Sequence, residues 1–97
     1  MLNSKQRAKL RSLASTFDPM IIIGKDGLTE NMIGSINDVI RTHELIKISI
    51  LKTYEGLETN ELAELICSTV GAELIFTVGR VIVIYKKNKD RNKYEVK

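Results

Sequence analysis

Gly24-Lys25-Asp26-Gly27 is the stretch whose residue types and spacing could do chemistry. It follows three β-branched residues, Ile21-Ile22-Ile23, and precedes Leu28-Thr29-Glu30, so it reads as a turn between a short strand and a helix start. Glycines at such a turn accept positive φ and leave bare backbone open to close approach. Amides of the turn and of the helix start can face a ligand there, with Lys25 beside them, and a phosphate suits that arrangement. Two glycines between a strand and a helix also make an ordinary tight turn, and spacing alone favours that plainer reading. A nucleotide-binding P-loop is excluded, because only two residues separate the glycines and no Lys-Ser or Lys-Thr follows the second.

Other chemistry has less support. His43 is the only histidine and Cys67 the only cysteine, which leaves no tetrahedral metal set and no internal disulfide. His43 falls at a helix end, where a cap or surface role is expected. Cys67 lies beside Ile66 and reads as a small buried hydrophobe, with no base or electropositive opening to activate it. Glu58, Glu61 and Glu64 open a helix, where a solvated, dipole-favoured face is the better reading than an acid–base pair. Tyr54, Tyr85 and Tyr94 could stack on bases, but aromatic residues make up only 5%, too few for a platform of several rings. Phe17 and Phe76 are expected in the core. No enzyme activity, cofactor, metal or small-molecule substrate is expected.

Charge points the same way as the glycine turn. The net charge of +3 conceals an asymmetry. Lys5, Arg7, Lys9 and Arg11 stand against Asp18 at the start, Lys86, Lys87 and four further cations crowd the last dozen residues, and the middle is net acidic. Basic ends on an acidic middle fit a polyanion binder, although a solubilising basic tail is the bland alternative. The basic amphipathic start could also lie on a membrane, but its apolar stripe is short and holds no Trp. No apolar run approaches the ~20 residues needed to cross a bilayer. Nothing resembles an export signal, and a cytoplasmic monomer is expected.

The elements that must position these residues follow from periodicity. Ser4 can cap a helix running to about Ser15, with Leu10, Leu13, Ala14 and Phe17 on one stripe. Asp18-Pro19 breaks it and launches Ile21–Ile23, whose unbroken apolar character suggests a strand covered on both faces. Thr29 caps a second helix reaching about Thr42, with Leu28 and Ile33 as its hydrophobic staple. Leu45 to Leu51 alternates and reads as a half-buried strand. Leu62, Ala63, Leu65, Ile66 and Val70 define a third helix that Gly71 stops. Glu73–Val78 and Val81–Tyr85 are strands joined at Gly79-Arg80, the second one placed inside the sheet.

The expected fold is α/β of the two-layer α+β type: a helix, then β-α-β-α-β-β, with a four-stranded mixed sheet whose last strand is antiparallel. Residues 1–87 form one domain and 88–97 a basic, flexible tail. The ends of the first and third strands then share a rim, which brings Gly24, Lys25, Asp26 and Gly27 to Arg80. If the first helix packs antiparallel to the strand it feeds, Lys5 and Arg7 reach that rim too.

Taken together, Lys5-Gln6-Arg7, Leu13-Ala14, Pro19, Gly24-Lys25-Asp26-Gly27-Leu28-Thr29-Glu30, His43-Glu44-Leu45-Ile46-Lys47, Gly71-Ala72, Gly79-Arg80 and Ile84-Tyr85 resemble the bacterial YhbY-like proteins. These are stand-alone versions of the CRM domain (chloroplast RNA splicing and ribosome maturation). The resemblance covers nearly the whole chain. It implies a fold like the C-terminal domain of translation initiation factor three. It also implies an RNA-binding protein that joins precursors of the large ribosomal subunit and assists assembly. The family's glycine loop, taken to contact RNA, corresponds to Gly24, Lys25, Asp26 and Gly27. Polar residues are common in the family where Ile22 and Phe76 stand, and its arginine after the last tyrosine of the fold is here Lys86, which loses bidentate geometry. The expected RNA-binding set is those four loop residues with Lys5, Arg7, Arg11, Arg80, Lys86 and Lys87, and structured large-subunit rRNA is the expected partner. The alternative is an adaptor whose acidic third helix docks a ribosomal protein.

Overall fold

Alternation in the segment after the second helix decides the architecture. Ile46, Ile48 and Ile50 are buried on one face while Lys47 and Ser49 are half-buried on the other, so one side of the sheet demands a thick apolar cover. In the computed structural model, which describes residues 2–87, the chain runs α1 (Ser4–Ala14), β1 (Ile21–Ile23), α2 (Glu30–His43), β2 (Leu45–Ile50), α3 (Thr59–Val70), β3 (Glu73–Val78) and β4 (Val81–Tyr85). The tail expected at 88–97 lies outside the described residues.

The sheet order is β1-β2-β4-β3, with β1 parallel to β2 and β4 antiparallel to both its neighbours. β1, β2 and β3 therefore run the same way, and their C-terminal ends form one rim, here the upper rim. β4 lies inside the sheet, and Ile82, Val83 and Ile84 are fully buried. A register shift between Leu74 and Phe76 bulges the outer strand β3. A bulge of this kind discourages edge-to-edge pairing with another sheet.

α2 and α3 cover one face. Ile36 and Ile40 from α2, with Leu62, Ala63, Ile66 and Val70 from α3, pack on Ile21, Ile23, Ile46, Ile48, Ile50, Ile82 and Ile84. Each fully buried isoleucine removes enough apolar surface to contribute ~1.5–3 kcal/mol. These are the two expected layers. α1 adds a partial third on the opposite face, where Leu10 and Ala14 meet Leu45, Ile75, Val83 and Tyr85. The cause is in the strands, because Leu45, Val83 and Tyr85 are the alternate apolar residues of β2 and β4 and need a cover of their own.

Three local expectations change. The N-cap of α1 is Asn3, not Ser4: its side chain accepts from the Gln6 amide while the Gln6 side chain accepts from the Asn3 amide, a capping box. Ile22 is not covered on both faces. β1 is a three-residue edge strand and α1 stops short of it, leaving Ile22 54% exposed. Leu65 belongs to the outer face of α3 and is 43% exposed, because Leu62, Ala63 and Ile66 already fill the contact with the sheet. Gly71 ends α3 in the left-handed region at φ 71°, as its position after Val70 suggests.

Candidate nucleic-acid interface

The upper rim is built by three chain reversals. The first is the glycine loop. The Gly27 amide donates to the Gly24 carbonyl at 3.0 Å and closes a four-residue turn, and the Thr29 amide donates to the Gly27 carbonyl at 3.2 Å. Gly27 needs its glycine, since φ is +69°. Thr29 caps α2, its side chain accepting from the Met32 amide. Among the described residues, the amides of Lys25, Asp26 and Leu28 donate to no protein group, and neither do those of Glu30 and Asn31 in the first turn of α2. Unpaired donors at a helix start, with the positive end of its dipole, favour an anion.

The second reversal follows β2. The Leu51 amide donates to the Ile23 carbonyl, and a methyl of Leu51 lies 3.7 Å from where a Gly24 Cβ would stand. Lys52 comes next, exposed. The third reversal is Gly79-Arg80. The Arg80 guanidinium donates to the Leu51 carbonyl at 3.2 Å, and the Ile50 amide donates to the Arg80 carbonyl. Thr59 ties the start of α3 to the same turn by donating to the Gly79 carbonyl. Lys25, Lys52 and Arg80 thus meet on one rim, each exposed and without an ion-pair partner among the described residues. The rim is not purely basic: Asp26 is in the loop, and Glu55 and Glu58 line an open pocket of about 340 Å3 beside Arg80.

Tyr54 locks the first two reversals together. Its Cε1 lies 2.9 Å from the Cβ position of Gly27, its ring also crowds Gly56, and its hydroxyl oxygen accepts from the Leu57 amide at 3.0 Å. The ring is a wedge between two loops and is not displayed for stacking. Tyr85 is buried, and burial, then Glu44 and Glu73, push its hydroxyl pKa up. Tyr94 lies outside the described residues.

The remaining expected residues do not join the rim. Arg7 donates to the Leu74 carbonyl and pairs with Glu73 at 3.4 Å, which puts the start of α1 at the N-terminal end of β3, the opposite end of the sheet. Arg11, one turn on, lies over the Phe76 ring at 4.6 Å. Helix α1 therefore does not pack antiparallel to β1 with its start at the glycine loop. The Arg7–Glu73 pair and the capping of the β3 bulge by Arg7 hold it the other way. Lys86 follows β4 to that lower end and donates to the Val70 carbonyl, closing the end of α3, with Lys87 exposed beside it. The ten expected residues thus fall into an upper set of Gly24, Lys25, Asp26, Gly27 and Arg80, and a lower set of Lys5, Arg7, Arg11, Lys86 and Lys87. Lys52 was missed, although its position directly after a strand parallel to β1 places it on the rim.

Among the described residues no group of three or more His, Cys, Asp and Glu is placed to hold a metal. The Cys67 thiol is pushed up to about 11 from 9.0, chiefly by burial and then by Glu73 and Glu64. At pH 8 its thiolate fraction is therefore about a hundredfold lower than that of an ordinary cysteine, and iodoacetamide should label native protein about that much more slowly than unfolded protein. Because the folded state holds the proton more tightly, this group's stabilising effect is full below pH 9.0 and is lost as pH rises toward 11.

Comparison with known proteins gives a consistent answer. The sequence model of the CRS1/YhbY (CRM) domain matches residues 2–86. A Bacillus subtilis protein named "Probable RNA-binding protein YqeI" is 36% identical over 99% of this chain and 99% of its own. A Haemophilus influenzae protein named "RNA-binding protein" is 27% identical over 92% of this chain and 89% of its own. The solution structure of a hypothetical Staphylococcus aureus protein, described as a candidate RNA-binding protein, superposes with a TM-score of 0.83 at 40% identity, covering both chains fully. A family match that begins before α1 and ends just past β4 takes in every element that builds the rim, and the chain belongs to the CRS1/YhbY (CRM) domain family.

Proposed function

We propose that this protein binds structured RNA without enzymatic activity, gripping the sugar-phosphate backbone at the upper rim, and that it acts on precursors of the large ribosomal subunit as a cytoplasmic, monomeric assembly factor. The observation that carries the reading is the juxtaposition of the Lys25, Asp26 and Leu28 amides, which donate to no protein group among the described residues, with the side chains of Lys25, Lys52 and Arg80. The names of the relatives support RNA as the partner. The ribosomal destination follows from the resemblance to YhbY-like proteins. The lower set, with Arg7 and Arg11 partly held by Glu73, Leu74 and Phe76, gives the RNA a second place to rest about one strand length away, ~17–20 Å. Two separated cation sets suit a folded RNA better than a single phosphate ligand.

Two measurements test this. Crosslinking in cell extract, followed by sedimentation, should enrich the protein on large-subunit precursors over mature ribosomes. Binding of large-subunit rRNA fragments should weaken with salt. Three rim cations predict that log K falls with log salt at a slope of roughly −2 to −3, steeper if the lower set joins. An adaptor docking a ribosomal protein through Glu58, Glu61 and Glu64 would show negligible affinity for protein-free RNA. That result would end the RNA reading.

A further inference from the structure

The face of the sheet that carries α1 is covered only in its lower half. Above Val83 and Phe76, a row of directly paired residues crosses all four strands: Ile22 opposite Ser49, Ser49 opposite Val81, Val81 opposite Val78. Paired residues share a face, so these four side chains stand together on the open side. Ile22 is 54% and Val78 58% exposed, and Leu51, 45% exposed, extends the row toward Gly24. The two most exposed stand at opposite ends of the row, on the edge strands β1 and β3, with half-buried Ser49 and Val81 between them, so the row is an open aliphatic strip across the sheet.

We infer that this row is a seat for unpaired bases of the RNA whose phosphate the glycine loop holds. The inference rests on the RNA-binding reading and adds the class of RNA: a folded segment carrying a bulge or internal loop, as opposed to a continuous duplex. Three observations support it. The row begins at the loop itself, since Leu51 touches the position of a Gly24 Cβ, so a nucleotide anchored at Lys25 has its base delivered onto Leu51 and Ile22. Charge is complementary: the row carries no acidic residue, Lys25 and Lys52 stand above it, and Lys47 lies below, its ammonium on the Phe17 carbonyl. The dimensions fit, because four strands span about 14 Å, enough for about two bases lying flat. The Ser49 hydroxyl, unbonded among the described residues, offers a donor and an acceptor in the middle of an aliphatic floor. A protein partner or a second copy of this chain fits less well. A stable protein interface uses about 20–30 residues a side, and this row offers five bounded by cations.

The test uses the intact chain and two RNAs: a fully paired hairpin stem, and the same stem with a two-nucleotide bulge containing 4-thiouridine. Affinities are measured at fixed salt for the natural protein and for the double variant Ile22→Ser/Val78→Ser, with thermal melts run alongside. The natural protein should prefer the bulged RNA by on the order of tenfold, and the double variant should lose that preference while keeping its affinity for the paired stem. Photocrosslinks from the bulge should map to the peptides holding Ile22 and Ser49. If the double variant is folded and keeps the full preference, or if crosslinks fall only on α1, the row is not the seat. If the bulged RNA loses no affinity but Ile22→Ser/Val78→Ser converts a dimer to a monomer, the row is a protein contact and the inference fails. Failure of both RNAs to bind would instead remove the RNA-binding reading on which it stands.

Discussion

Lys25→Glu lowers RNA affinity by about 10- to 100-fold and leaves thermal stability within about 0.5 kcal/mol of the natural protein. The stability half follows from exposure: Lys25 makes no ion pair or hydrogen bond among the described residues, so its replacement breaks nothing in the fold. The affinity half combines loss of the proposed phosphate contact with a new repulsion at a point where the amides of Lys25, Asp26 and Leu28 concentrate positive potential. The variant carries a second signature. Removing one neutralised phosphate should make the salt slope shallower by about 1, whatever RNA sequence is used, because a backbone contact carries no base information. Arg7→Ala provides the contrast. Arg7 is already committed to Leu74 and Glu73, so this change should lower stability by ~1 kcal/mol and cost less affinity than Lys25→Glu. Equal affinity losses for the two variants would mean that the upper rim is not the principal grip.

What could be read from residues alone was whatever is local or periodic. The alternation in β2, the stops at Gly71 and Gly79, and the strand–turn–helix at Ile21–Glu30 depend on neighbours within a few positions, and the structure repeats them almost residue for residue. The strand directions and the inner place of the last strand followed as well, from two helical crossovers, a two-residue turn and the apolar run Val81–Tyr85. Misread features depend on contacts distant in sequence. The sense of α1 is held by Arg7 with Glu73 and Leu74, more than sixty residues away. Ile21-Ile22-Ile23 looks like a strand buried on both faces, and only the short reach of α1 across the sheet exposes Ile22. Glu44 defeats the ordinary rule entirely: a buried carboxylate residue at φ 63° ends α2, a position where glycine would be expected, and its carbonyl accepts from the Lys86 amide. Tyr54 carries no sequence signal for its role, because a tyrosine in a glycine-containing loop looks the same whether it is displayed or wedged.

The wedge leads to the largest expected loss of stability, and it separates two glycines that look alike in sequence. Gly27→Ala should destabilise the protein by ~2–5 kcal/mol, a large share of the stability of a domain of this size. Part is backbone strain, since an L-residue at φ +69° sits in the left-handed region at a cost of ~1–2 kcal/mol. The remainder is steric. The new methyl meets the Tyr54 ring at 2.9 Å, and the ring is hindered from swinging aside because Gly56 lies close to its hydroxyl end and the Leu57 amide holds its hydroxyl. Gly24→Ala should behave differently. φ there is not in the left-handed region, and the added methyl finds Leu51 at an ordinary 3.7 Å, so the fold should tolerate it. RNA affinity should still drop, because in the proposed grip a phosphate approaches bare backbone where that methyl would stand. Tyr54→Ala on the Gly27→Ala background should recover the steric part and not the backbone part, a coupling of ~1–3 kcal/mol in a double-mutant cycle. Additive losses in that cycle would show that the tyrosine does not hold the glycine loop, and the rigid rim required by the proposed phosphate grip would then need another support.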